Sequence, residues 1–337
     1  MRFTIGSYTL RVRSYIGHEL VRLKQRPYSR DERRTMKLSK VFTFGPLFVI
    51  IAALLWSFDG ILRISLYTLP PAVVVFYEHL FGAIILLFLA KQWFLDLKKM
   101  TRKEWIGILV VSLFSGALGT ILYTAALGKV NYSQYSVVVL LQQQLQPIWA
   151  ISAAAILLKE KISKSFILWA VVALLAAYLI TFKDLHVNLQ TGTGTIIAAL
   201  FALSAGFMWG SSTAISKLVL NKVSFITATA LRFYLAPIFA LFLILPLGQT
   251  SALFSLQKDQ ILTLILITFS TGLVALLFYY YGLKKTPARV TTVCELVWPA
   301  SAIFIDYFYF HKSLSITQIL GVLLLLFAIY NVTKFKK

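Results

Sequence analysis

Acid is what this sequence has least of. Its 337 residues hold 12 Asp+Glu against 33 Lys+Arg, a formal charge of +21, and only 13% of them are charged, about half the share in a soluble domain. The lone cysteine, Cys294, excludes an intramolecular disulfide and any cysteine metal cluster. The four histidines include no pair at metal-ligand spacing, and no Ser/His/Asp set can be assembled. No cofactor motif is present either. Thr191-Gly192-Thr193-Gly194 lacks the spacing and the lysine of a phosphate loop and reads as a turn. The longest internal connection, Gly248–Gln260, has 13 residues, too few for a soluble catalytic domain. No metal, cofactor or enzymatic activity is therefore expected. Apolar side chains abound instead: 59% of residues are hydrophobic and the mean hydropathy is +0.80. No soluble surface could hide so many, so the length is counted in membrane spans of about 20 residues.

Ten apolar runs qualify: Phe44–Leu66, Pro71–Phe94, Trp105–Leu127, Tyr135–Leu158, Phe166–Phe182, Thr195–Leu218, Ile226–Leu247, Ile261–Leu283, Val290–Phe310 and Ile316–Val332. Each is expected to be helical, because lipid offers no partner to an open backbone. The basic residues orient them. With the N-terminus inside, 16 lysines and arginines fall in the inner connections and C-terminus, against four outside (Lys129, Lys183, Lys258, Lys312). Both termini are thus expected in the cytoplasm and the protein in the cytoplasmic membrane. Residues 1–40 form a basic tail without the domain or face that nucleic-acid binding needs. It reads either as a segment near anionic headgroups or as sequence upstream of a start at Met36.

The second half echoes the first. Trp56 is answered by Trp209 and His79 by Arg232, each 153 residues later. Pro147 is followed by Glu160-Lys161-Ile162-Ser163, and Pro299, at the same spacing, by Lys312-Ser313-Leu314-Ser315. Five spans per half is an odd number, so the halves enter the membrane from opposite sides, the inverted repeat found in secondary transporters. With these residues the chain resembles the drug/metabolite transporter superfamily, specifically its EamA-type members. Those carry in each half a Trp in the first helix, a basic residue in the second, and a Pro followed by a Gly/Lys-Glu-(x)-Leu/Ile-Ser stretch at the end of the fourth. His79 and Lys312 depart from that pattern. The resemblance implies an all-α protein of ten transmembrane helices in two inverted five-helix repeats, 41–185 and 190–333. It implies export or exchange of a small metabolite, amino-acid-like or another small organic solute, by alternating access. A membrane-embedded transferase acting on a lipid carrier, or a non-transporting receptor or scaffold, are the alternatives. The expected partners are a small-molecule substrate and the bilayer, with a homodimer left open beside a monomer.

Ionisable groups within spans cost about 2.5–3.5 kcal/mol each on insertion scales and should face the bundle interior. Besides Lys91 and Lys217, counted with the inner connections, they are Asp59, Arg63, Glu78, His79, Arg232, Glu295 and Asp306. Asp59 and Arg63, four apart, share a face with Trp56, and a tight turn brings Glu78 within reach of Arg63. Arg232 has no acid in its own helix and must find one elsewhere or take an anionic substrate group. Aligning Pro147 with Pro299 sets Gln143 opposite Glu295, each beside the carbonyl that its proline frees, as the expected cavity floor. Asp306, near His311 and Lys312, reads as an interfacial ion pair. The candidate substrate-binding or coupling residues are Trp56, Asp59, Arg63, Glu78, His79, Gln143, Arg232 and Glu295, with Glu295 the candidate for proton coupling. Tyr123 and Tyr279–Tyr281 read as interfacial belt residues; Trp209 and Trp298 are deeper and could wall a pocket. Reporter fusions at Lys99 and Lys336 should read cytoplasmic and one at Gln257 external. An external reading at Lys336 would make the number of spans odd and break the repeat.

Overall fold

The computed structural model describes residues 44–130, 135–182, 184 and 193–334. Among them every regular element is helical. Seven helices are long and apolar enough to cross a membrane: α1 (Gly45–Leu66), α4 (Arg102–Lys129), α7 (Thr193–Leu220), α8 (Phe225–Ile244), α9 (Lys258–Lys285), α10 (Ala288–Phe308) and α11 (Ile316–Lys334). This is a multi-pass membrane protein. Among the described residues the chain order also includes α2 (Pro71–Leu87), α3 (Ala90–Leu97), α5 (Tyr135–Leu157), α6 (Lys164–Thr181) and a single turn, Thr250–Leu253, between α8 and α9.

The expected span Pro71–Phe94 is corrected. α2 stops at Leu87 and the chain bends by 95° into α3. The sequence explains the break, because α3 carries Lys91, Gln92 and Asp96, which do not belong in hydrocarbon. Trp93 Nε1 donates to the Leu86 carbonyl at 3.0 Å, satisfying one of the acceptors that the broken helix leaves open. Residues 1–40, Thr191 and Gly192 lie outside the described residues.

The two halves interleave. α1 packs on α9, α2 on α8, α4 on α7 and α8, α5 on α7 and α10, and α6 on α11. The interfaces use small residues, as they must where lipid competes equally for apolar side chains. Gly206 and Gly210 of α7 face α5, and a Cβ at Gly210 would come within 2.6 Å of the Gln146 carbonyl.

Two helices contain a π-helical turn, Ser112–Leu118 in α4 and Thr268–Gly272 in α9. Both turns begin ten residues into a helix of 28. Widening the helix by one residue breaks the i→i−4 ladder and frees carbonyls for other donors. Gly210→Val should overpack the α5–α7 contact at a cost of about 1–3 kcal/mol. A lower unfolding midpoint in detergent would register it; an unchanged midpoint would mean the helices can part there freely.

Candidate functional site

A cavity of about 80 Å³ lies between the halves. Its first wall is a buried ion network. Arg63, 2% exposed, donates through Nε to Asp59 Oδ2 at 2.5 Å and through Nη2 to Glu78 Oε2 at 2.8 Å. Nη1 reaches Thr124 Oγ1 of α4 at 3.3 Å, and Thr271 of the α9 π-turn donates to Asp59 Oδ1 at 2.6 Å. The 3₁₀ turn Arg63–Leu66 and the short link to Pro71 bring Glu78 back beside Arg63. Burying one such charge alone would cost several kcal/mol, so the two carboxylates and the guanidinium are held by each other.

The second wall belongs to Arg232 on α8. Its Nη2 donates to the Ser115 carbonyl at 2.8 Å, and Nη1 lies 3.5 Å from the Tyr280 hydroxyl. Ser115 sits in the α4 π-turn, and its freed carbonyl also accepts from Trp209 Nε1 at 3.1 Å. Among the described residues no carboxylate lies within 4.0 Å of Arg232, and its Nε has no acceptor. His79 stacks on Phe233 at 4.8 Å, with Nδ1 3.0 Å from the Val75 carbonyl.

Glu295 closes the third side. Gln146 Nε2 donates to its Oε2 at 2.5 Å and the Tyr279 hydroxyl to its Oε1 at 2.8 Å. Gln142 Nε2 in turn donates to Gln146 Oε1 at 2.6 Å. Between these polar groups stands an aromatic cluster centred on Trp298. Its ring lies 5.7 Å from Trp56, 5.7 Å from Tyr123 and 5.8 Å from Trp209. Tyr279 packs on Trp56 at 5.2 Å.

Trp56, Asp59, Arg63, Glu78, His79, Arg232 and Glu295 all line this one cavity. Gln143 does not. It is 1% exposed, and neither of its amide atoms finds a hydrogen-bond partner among the described residues. The proline register sets Gln143 opposite Glu295, but the contact falls to Gln146. Gln142 and Gln146 are four apart on one face, and Gln143 is turned about 100° from Gln142. Tyr123 and Tyr279 are corrected as well: at 1% and 6% exposed they are buried cavity residues, not belt residues. Tyr280, 0% exposed, is buried too, and the helices run on to Lys129 and Lys285, so these tyrosines do not stand at the helix ends. Asp306 behaves as expected and pairs with Lys312 at 3.2 Å. Ser115 and Thr271 carried no sequence signal beyond the neighbouring glycines. Among the described residues no three His, Cys, Asp or Glu come together as a metal site would require.

Residues 43–182 and 196–334 each match the EamA-like transporter family. A riboflavin transporter, ImpX, of Fusobacterium nucleatum is 35% identical over 292 residues, covering 86% of this chain and 97% of that protein. An uncharacterized transporter of Clostridium kluyveri is 25% identical, covering 87% and 94% respectively. A solved crystal structure superimposes with a TM-score of 0.63 at 15% identity, covering 87% of this chain and 98% of the other, a likeness of fold alone.

Removing the cation from the ion network should expose its cost. Arg63→Ala leaves two buried carboxylates and should destabilise the protein by about 3–5 kcal/mol in detergent unfolding. Adding Asp59→Asn and Glu78→Gln should recover part of that loss. No loss in the single variant would show that the network is not a structural element.

Proposed function

Because this chain belongs to the EamA-like transporter family, making it a transporter and not an enzyme, we propose that its central cavity carries a planar heteroaromatic solute of the riboflavin type. The observation that carries this reading is the Trp298-centred cluster. Five aromatic rings from both halves line the cavity, and offset or edge contacts with such rings suit a flat conjugated solute. Around them stand donors and acceptors for a polar ring edge and a hydroxylated chain: Arg232, Gln146, Glu295 and Ser115. The relative named as a riboflavin transporter supports the same class. An amino-acid-like solute would leave much of this aromatic surface without a partner.

The architecture is proposed as ten spans in two inverted repeats, 41–185 and 190–333, with both termini cytoplasmic. The bent pair α2–α3, the proline-containing α5 and the shorter α6 supply the three spans beyond the seven. A cavity of about 80 Å³ is smaller than the roughly 300–1,000 Å³ of a ligand pocket. The walls must therefore part to admit the solute, as alternating access requires. Net movement is export or exchange. Glu295 is the proposed proton-coupling group. It faces the cavity, meets no cation within 4.0 Å among the described residues, and sits beside the carbonyl that Pro299 frees.

Proteoliposomes given labelled riboflavin should exchange it, and Trp298→Ala should reduce exchange at least tenfold with normal protein yield. A panel of amino acids should not compete. Glu295→Gln should keep exchange while abolishing accumulation driven by a pH gradient. If instead Glu295→Gln keeps that accumulation and Asp59→Asn loses it, coupling belongs to α1.

A further inference from the structure

At one end of the bundle, two carboxylates of the first half sit on helix N-termini of the second. Asp96, on α3, accepts from the Ser224 amide at 2.7 Å and the Thr227 hydroxyl at 2.8 Å, both at the start of α8, and takes Lys99 Nζ at 2.5 Å. Glu160, between α5 and α6, accepts from the amides that open α10, Ala288 at 2.7 Å and Arg289 at 3.2 Å. It also binds the Arg289 guanidinium at 3.1 Å. A helix N-terminus presents unpaired N–H groups and positive partial charge, so a carboxylate placed there is a strong and directional tie.

Among the described residues the opposite end has neutral ties between the halves, Gln260 Nε2 to Thr68 Oγ1 at 2.9 Å and the Tyr77 hydroxyl to the Leu253 carbonyl, but not the counterparts of these two carboxylates. The residue 153 positions after Asp96 is Gln249, whose Oε1 finds no partner among the described residues. The residue 152 positions after Glu160 is Lys312, which has the wrong charge to cap an N-terminus and bonds Asp306 instead. Helix packing differs between the halves as well. Gly206 and Gly210 let α7 close on α5. The symmetry-related pair, α1 and α10, leaves an apolar groove of about 500 Å³ walled by Leu54, Ser57, Phe58, Ser301, Phe304 and Ile305. Ser57 and Ser301 both donate to carbonyls of their own helices at 2.6 Å. Ala53 and Ser57, which correspond to Gly206 and Gly210, are small enough for the groove to close.

We propose that Asp96 and Glu160 are latches that hold the gate at their end shut, and that the carrier rests closed there, with the α1–α10 groove as the opposing gate. The proposal rests on the alternating-access reading above; in the orientation given there, the latched gate is cytoplasmic. Opening it requires both carboxylates to leave their helix N-termini while α1 and α10 draw together at the other end.

The test needs no solute. In full-length protein carrying Cys294→Ala and Ser216→Cys, a cavity position on α7, labelling by a membrane-impermeant maleimide is timed from each side of oriented vesicles. Asp96→Asn with Glu160→Gln should speed labelling from the latched side roughly tenfold, the scale of a lost cap and its charged hydrogen bonds. Lys312→Ala should leave it unchanged. Each single latch variant is measured too, so a double variant that fails to elute as one species does not end the experiment. Unchanged labelling in correctly folded latch variants overturns the proposal, even if riboflavin exchange is found. Faster labelling without any riboflavin exchange upholds the latches and rejects only the solute.

Discussion

A guanidinium in the middle of a membrane protein is tolerable only if the protein surrounds it with its own acceptors. Arg63 meets that condition by drawing on much of the bundle at once. Asp59 comes from its own helix, Glu78 from α2, Thr124 from α4, and Thr271 joins through Asp59 from α9. Four helices, one of them from the second half, are thereby committed to one charge. The same rule shapes Arg232, whose acceptor is a backbone carbonyl released by a π-turn. In hydrocarbon a helix has no water with which to repair such a carbonyl, and here Arg232, Trp209 and Thr120 all donate to it.

The cavity combines this polar frame with an aromatic interior. Trp298 touches Trp56 and Trp209, the two tryptophans that mark corresponding places in the halves. Its own corresponding position is Gln146, which bonds Glu295 instead. The symmetry that builds the site is therefore broken inside it. One half gives the cavity a ring and a carboxylate where the other gives the single amide of Gln146, so the two sides of the cavity differ in chemistry.

Much of this was legible in the residues. Charges in apolar runs are costly enough that their location alone pointed to the cavity, and seven of the eight named side chains line it. The echo of Trp56 in Trp209 revealed the two halves. Three things were not legible, each for a physical reason. Which glutamine meets Glu295 depends on helix rotation, and a register of prolines does not set that. The break after Leu87 depends on a balance between apolar length and the polar residues of α3, and a count of hydrophobic residues extends across it. The π-turns leave no periodic signature, since one inserted residue shifts the helical phase only locally.

Those two π-turns also decide what each half offers the cavity. Each begins at the eleventh residue of a 28-residue helix in its own half. In α4 the irregularity presents a backbone carbonyl, that of Ser115, to an arginine. In α9 it presents a hydroxyl, that of Thr271, to a carboxylate. One kind of backbone irregularity thus supplies an acceptor on one side and a donor on the other, so it sets the polarity of the wall as well as its shape.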